Sequence, residues 1–227
     1  MIKRLPALLV FIFSCLLLPL GAQNTNGKSP FRMSIRASGT VPHPLATNKA
    51  FKRSFTGIYD VSAHCNFQVF HGFQVGLGYR HSLWKTPDNK IPGLNTYAQS
   101  HHGSLRIGYD HVISETAVAY CGIAAQLGKM HFYGISYEYD SLHVPLQTKY
   151  DYRSIETDAG VYFYTEGNFA IGIEGSVTFT NFKFDPDKLY LDQHKAYIAS
   201  DYEGKLAQLN IGFSLVYSFW KSKHAGD

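Results

Sequence analysis

Residues 206–220 read Leu-Ala-Gln-Leu-Asn-Ile-Gly-Phe-Ser-Leu-Val-Tyr-Ser-Phe-Trp, and their alternation decides the fold. Ala207, Leu209, Ile211, Phe213, Leu215, Tyr217 and Phe219 hold the odd positions; Gln208, Asn210, Gly212, Ser214 and Ser218 hold even ones. A period of two puts every second side chain on the same face of a strand. The segment is too long for an ordinary globular strand, and it ends in aromatics. It predicts the closing strand of a transmembrane barrel.

Working outward, seven further segments repeat the pattern: residues 31–39, 57–69, 73–83, 100–112, 117–130, 153–164 and 169–180. The connections between the eight strands run long, short, long, short, long, short, long. The short ones are 70–72, 113–116 and 165–168; the long ones are 40–56, 85–99, 131–152 and 181–204. This asymmetry predicts an all-β, closed, antiparallel up-and-down barrel with brief periplasmic turns and long outer loops. The predicted barrel occupies residues 31–220, after a polar periplasmic lead-in at 23–30 and before a periplasmic tail at 221–227.

Bulk composition agrees. The chain of 227 residues is 45% hydrophobic, yet its mean hydropathy is −0.15, and it carries 16 Tyr and 16 Phe. A helical membrane protein is more apolar; in a barrel half of each strand is polar. Lys3-Arg4, the apolar run 5–20 and the small residues Gly21-Ala22 predict a signal peptide over 1–22, removed on export. Cys15 lacks the approach sequence of a lipidation site. The formal charge of +4 falls to about +2 without Lys3 and Arg4, which excludes a strongly basic nucleic-acid binder. Cys65 and Cys121 fall on strands that are not neighbours, so no disulfide is expected.

The polar face decides between a membrane barrel and a soluble one. It carries Arg32, Arg36, Arg80 and Arg106 against Asp60, Asp110, Glu156, Asp158 and Glu174, nearly balanced, as an internal ion-pair network requires. The apolar face carries almost no charge, which no water-facing surface allows. Phe31, Phe67, Phe73, Tyr109, Phe163, Phe169 and Phe219 share the apolar face at the short-turn end and predict a periplasmic aromatic girdle. Tyr59, Tyr79, Phe179 and Trp84 are assigned to a sparser outer rim.

The pattern resembles the small eight-stranded outer-membrane barrels of the OmpA, OmpX and OmpW type, at the level of architecture over the whole exported chain. Asn210-x-Gly212-x-x-Leu215-x-Tyr217 resembles the signal by which the barrel assembly machinery recognises its clients. Members of that family usually stop at the last aromatic, whereas Lys221–Asp227 continues here. The resemblance implies a bacterial outer-membrane location, contact with lipid and lipopolysaccharide, and passage through that machinery.

Chemistry is harder to read. Inward Gly76, Gly78, Gly108, Gly122, Gly160, Gly172 and Gly212 make room for inward Arg and Tyr side chains, or alternatively line a narrow pore for ions or small solutes. Barrels that modify lipid A would need a Ser/His pair facing the membrane. His102, Ser104 and Ser82 instead have lumen parity, as do Asp60, Ser62 and His64, so no enzyme is expected. Asp185, Asp187, Asp192 and His194 lack the spacing of a cation loop. No cofactor or metal is expected. Tyr133, Tyr137, Tyr139, Tyr150, Tyr152, Tyr190, Tyr197 and Tyr202 predict Tyr-rich outer loops suited to a protein or glycan partner. The expected role is structural or interaction-type, with an accessory part in a secretion or assembly complex as another reading.

Overall fold

Where the strands cross the membrane, inward polar and outward apolar side chains alternate because one side meets a narrow lumen and the other hydrocarbon. The computed structural model describes residues 33–45, 48–70, 72–87, 94–114, 116–137, 143–165, 168–181, 184, 198–202 and 205–219. The strands are β1 (Met33–Pro44), β2 (Thr56–Phe70), β3 (Phe73–Lys85), β4 (Leu94–Val112), β5 (Ala117–Tyr137), β6 (His143–Tyr164), β7 (Phe169–Asn181) and β8 (Leu206–Ser218). They pair in sequence order and close through β1 and β8, all antiparallel. Among the described residues, two short helices lie in the connections, α1 (Lys49–Ser54) and α2 (Ala199–Tyr202).

The outward face holds Leu77, Leu105, Ile107, Ile123, Leu127, Ile155, Ile173, Ile211, Phe213 and Leu215, all exposed. A continuous apolar band of this extent is not stable in water and marks the surface that lipid covers. The strands are the membrane-crossing elements.

Three differences from the sequence expectation matter. The connection predicted over 40–56 contains the last residues of β1 and helix α1. Pro42 and Pro44 are tolerated there because β1 pairs with β2 only as far as Thr40, while its pairing with β8 continues to Pro44. Beyond Thr40 each proline can turn its missing donor toward an unpaired edge. Second, β4 begins at Leu94 instead of Ser100, β5 ends at Tyr137 instead of Met130, and β6 begins at His143 instead of Arg153. The region predicted as a Tyr-rich loop at 131–152 is largely a β5–β6 hairpin, paired up to Tyr137–His143. Tyr133, Tyr137, Tyr150 and Tyr152 belong to strands and Tyr202 to α2; Tyr139, Tyr190 and Tyr197 lie outside the described residues. Third, Trp84 has lumen parity and is fully buried, not part of an outer rim.

A membrane crossing takes about 9–11 residues of tilted strand. β4, β5 and β6 run 19, 21 and 22 residues, against 12 in β1 and 13 in β8. The surplus forms a three-stranded wall at the end of the long connections, rising roughly 30 Å at about 3.3 Å per residue.

Candidate functional site

The lumen is filled in three layers. In the middle lies an ionic layer. Arg106 donates three hydrogen bonds to Asp158, at 2.8, 3.1 and 3.1 Å. Arg36 donates to the same carboxylate at 3.0 Å and lies 3.9 Å from Glu174. Arg80 forms a two-pronged pair with Glu156, one prong at 2.9 Å, and lies 3.4 Å from Asp60. Neutral donors complete the acceptor shells. Thr40 and Ser82 donate to Asp60, Gln126 and Thr178 to Glu156, and the Tyr120 hydroxyl to Glu174. The Arg36 guanidinium also stacks over the Tyr120 ring at 4.4 Å. Asp110 lies nearer the short-turn end and accepts from the Gln74 amide at 2.5 Å and from the Tyr162 hydroxyl. Arg32 lies outside the described residues.

The glycines of this layer follow from the size of its side chains. A Cβ at Gly108 would overlap an Arg106 nitrogen. A Cβ at Gly122 would overlap Arg106 and sit 2.7 Å from Asp158. These positions are occupied by the guanidinium itself.

Toward the short-turn end, Tyr120, Tyr162, Val118, Ala170 and Val216 pack into a second, aromatic layer with Tyr164 against it. At the opposite end sits a plug. Asn48 caps α1 by accepting from the Phe51 amide at 2.9 Å. That turn drives Phe51 and the following Phe55 into the mouth. They stack at 4.9 Å, and Trp84 and Phe184 meet Phe51 edge-on at 5.3 and 5.6 Å. Phe132, Leu206, Met130 and Tyr152 complete the cluster. Lys49 and Arg53 on the far side of α1 reach Asp201 on α2 at 3.7 and 3.1 Å, fastening the plug to the neighbouring β7–β8 connection. Phe51 and Phe55 sit in a stretch that reads as polar, so the lumen-facing parity of Trp84 was the available signal for this cluster.

His102 and Ser104 are buried in the lumen; the His102 Nδ1 lies 2.7 Å from the Tyr152 hydroxyl. Ser82 points at Asp60. Neither serine faces lipid. Asp185, Asp187, Asp192 and His194 lie outside the described residues, and among those described no cluster of His, Cys or acids has the geometry to hold a metal ion. Cys65 on β2 and Cys121 on β5 are three strands apart and form no disulfide.

The seven positions assigned to the girdle fall as follows. Phe67, Phe73, Tyr109, Phe163, Phe169 and Phe219 are exposed or half-buried at the short-turn end, with Phe73 against Tyr109 at 5.0 Å and Phe169 against Tyr217 at 4.8 Å. Phe31 lies outside the described residues. Along β8, the Asn210 amide donates to Ser176 at 3.0 Å and Leu215 is exposed. A Cβ at Gly212 would overlap the Gly39 carbonyl, so the β1–β8 seam closes there on bare backbone.

A major outer membrane protein of Thermus thermophilus superposes with a TM-score of 0.53 at 7% identity, covering 83% of this chain and 99% of that one. The chain has the fold of an outer-membrane barrel. Neisserial surface protein A gives a TM-score of 0.48 at 8% identity over 82% of this chain and 96% of that one. Ail of Yersinia pestis, in complex with the heparin analogue sucrose octasulfate, gives 0.43 at 11% identity over 83% and 99%. No protein-family model and no curated protein matches the sequence.

Proposed function

We propose that the chain is an integral outer-membrane protein of a Gram-negative envelope, exported by its signal peptide. Its barrel is a sealed stand, and its work is done by the β4–β6 wall. The long connections and the wall face outward; the short turns and both termini face the periplasm. The observation that carries this reading is the contrast between the two regions. The lumen is closed by an ionic layer between two aromatic layers. The wall, in contrast, continues about ten residues past the crossing and presents Tyr97 stacked on Tyr133 at 5.5 Å. Stiff rings on a paired sheet give contact area at low entropic cost, which suits an interaction surface for a protein or glycan partner. The buried positions of Ser82, Ser104 and His102 favour a role without catalysis. Asn210, Gly212, Leu215 and Tyr217 serve recognition by the barrel assembly machinery.

Two measurements test this. Purified protein in planar bilayers gives no discrete conductance steps; steps would replace the sealed stand with a narrow pore. A photo-crosslinking residue at Tyr133 or Gln147 on intact cells yields adducts of higher mass that the same residue at Ile171, on the lipid-facing band, does not. Equal labelling at all three sites would remove the interaction role.

A further inference from the structure

The outward face of the described strands carries its charge on one flank only. Lys85, Lys129, Lys149 and Arg153 stand there with Asp151, on β3, β5 and β6, all toward the long-connection end. Outward positions of β1, β2, β7 and β8 carry no Lys, Arg, Asp or Glu, and neither does the short-turn boundary among the described residues. At the same end, exposed Lys49, Lys52 and Arg53 stand on α1 and Lys205 just precedes β8, so what distinguishes this flank is that its charges lie on the strands themselves, beside the apolar band.

Within this flank is an open groove of about 760 Å³, lined by Tyr79, His101, Gly103, Leu127, Lys129 and Arg153 among others. Register explains it. Tyr79 pairs with Gly103, Gly103 with Leu127, and Leu127 with Arg153. In that row Gly103 has no side chain, and a Cβ there would approach nothing nearer than 4.0 Å. The gap between the Tyr79 ring and Leu127 is therefore the groove floor. One row further out, His101 pairs with Lys129 and Lys129 with Asp151. The Tyr79 hydroxyl and His101 Nδ1, 2.7 Å apart, form one wall. Lys129 and Asp151 are both highly exposed and 3.9 Å apart, so the carboxylate is a weak partner that leaves the ammonium free to bind elsewhere. His131, just beyond, is held below its ordinary pKa by burial and by Lys149, so it adds little charge at neutral pH.

The groove thus has an apolar lower half, over Leu127 and above Leu105 and Ile155, and a cationic upper half at the level where the apolar band ends. A forked guanidinium and a compact ammonium suit phosphate oxygens. We propose that this groove seats the phosphorylated headgroup of an outer-leaflet glycolipid, with one acyl chain lying over Gly103 against Leu127. The proposal rests on the outer-membrane reading above and adds a defined lipid site to it.

The test is native mass spectrometry of the folded barrel, extracted from phosphatidylcholine nanodiscs doped with bis-phosphorylated lipid A or with its dephosphorylated form. Wild type retains the phosphorylated lipid. Lys129→Gln with Arg153→Gln lowers retention about thirtyfold, the effect of removing two basic residues from an anionic lipid surface. Gly103→Leu, whose side chain points into open space, also abolishes retention by filling the groove. Asp151→Asn raises it. Equal retention by wild type and the double variant, or equal retention of the dephosphorylated lipid, overturns the site. Fold is checked on each sample by the mobility of unheated protein in gels. A wild type that never inserts into the nanodisc overturns the outer-membrane reading as well; one that inserts without holding phosphorylated lipid overturns this inference alone.

Discussion

Replacing Arg106 by Ala probes the ionic layer at its centre. Its guanidinium is 2% exposed and gives all its ionic contacts to Asp158. Removing one partner of a buried pair costs about 3–5 kcal/mol, because the other charge is left uncompensated. Here Asp158 keeps Arg36 at 3.0 Å, which places Arg106→Ala at the lower end, about 3 kcal/mol. Gly108 and Gly122 have no side chains to collapse into the space, so the loss is not recovered by packing. Asp158→Ala is different. It strands two guanidiniums, and the one carboxylate that Arg36 retains is Glu174 at 3.9 Å. It therefore falls at the upper end, about 5 kcal/mol. The assay is urea unfolding in phosphatidylcholine vesicles, scored by the fraction that migrates as the compact form in unheated gels. Arg106→Ala lowers the folded-to-unfolded ratio roughly a hundredfold, since each 1.4 kcal/mol or so is a factor of ten. A shift below about 0.5 kcal/mol, the range of ordinary surface substitutions, would show that the guanidinium is not held among partners. Asp158→Ala no worse than Arg106→Ala would refute the shared-carboxylate arrangement.

Three further outcomes follow from the same packing. Gly122→Ala drives a Cβ into Arg106 and Asp158 and costs about 1–3 kcal/mol in the urea assay, whereas Gly103→Ala, on the outside, costs almost nothing. Phe51→Ala removes the ring at the centre of the plug and destabilises by about 3–5 kcal/mol; bilayer recordings on the same variant show brief openings that wild type lacks. Gly212→Ala forces a Cβ against the Gly39 carbonyl and reduces refolding into vesicles that contain no assembly machinery, while Leu215→Ala leaves that refolding intact and impairs only insertion in cells.

The parts of the fold that the sequence reveals are those where two different solvents meet one strand. From Ile211 to Tyr217, or from Leu105 to Tyr109, one face meets hydrocarbon and the other a packed lumen, and apolar residues recur at every second position. Beyond the membrane that contrast disappears. Lys129, His131 and Tyr133 lie on the outward face of β5 while Met130 and Phe132 point inward, so polarity inverts and a continuing strand resembles a loop. The ionic residues are legible individually, because a charge on the polar face has nowhere else to go. Which carboxylate serves which guanidinium depends on register across the lumen and is not. The plug is hidden more thoroughly. Phe51 and Phe55 lie among Lys, Arg and Ser, and their burial follows from one turn of helix capped by Asn48, a local structure too short to leave a periodic trace.

The uneven strand heights leave one flank of the barrel with an unpaired side. β6 pairs with β7 only from Arg153 onward, so residues 143–152 have no neighbouring strand on that side among the described residues. An edge with no second strand alongside it among the described residues is a template onto which another chain can zip, and in a crowded membrane that chain would be another copy. The segment's composition counters this. Pro145 removes a donor near its tip, and Lys149 and Asp151 place opposite charges along it. The height proposed to make the wall an interaction surface thus also creates an edge open to polymerisation, and these three residues are of the kind that disfavours such pairing.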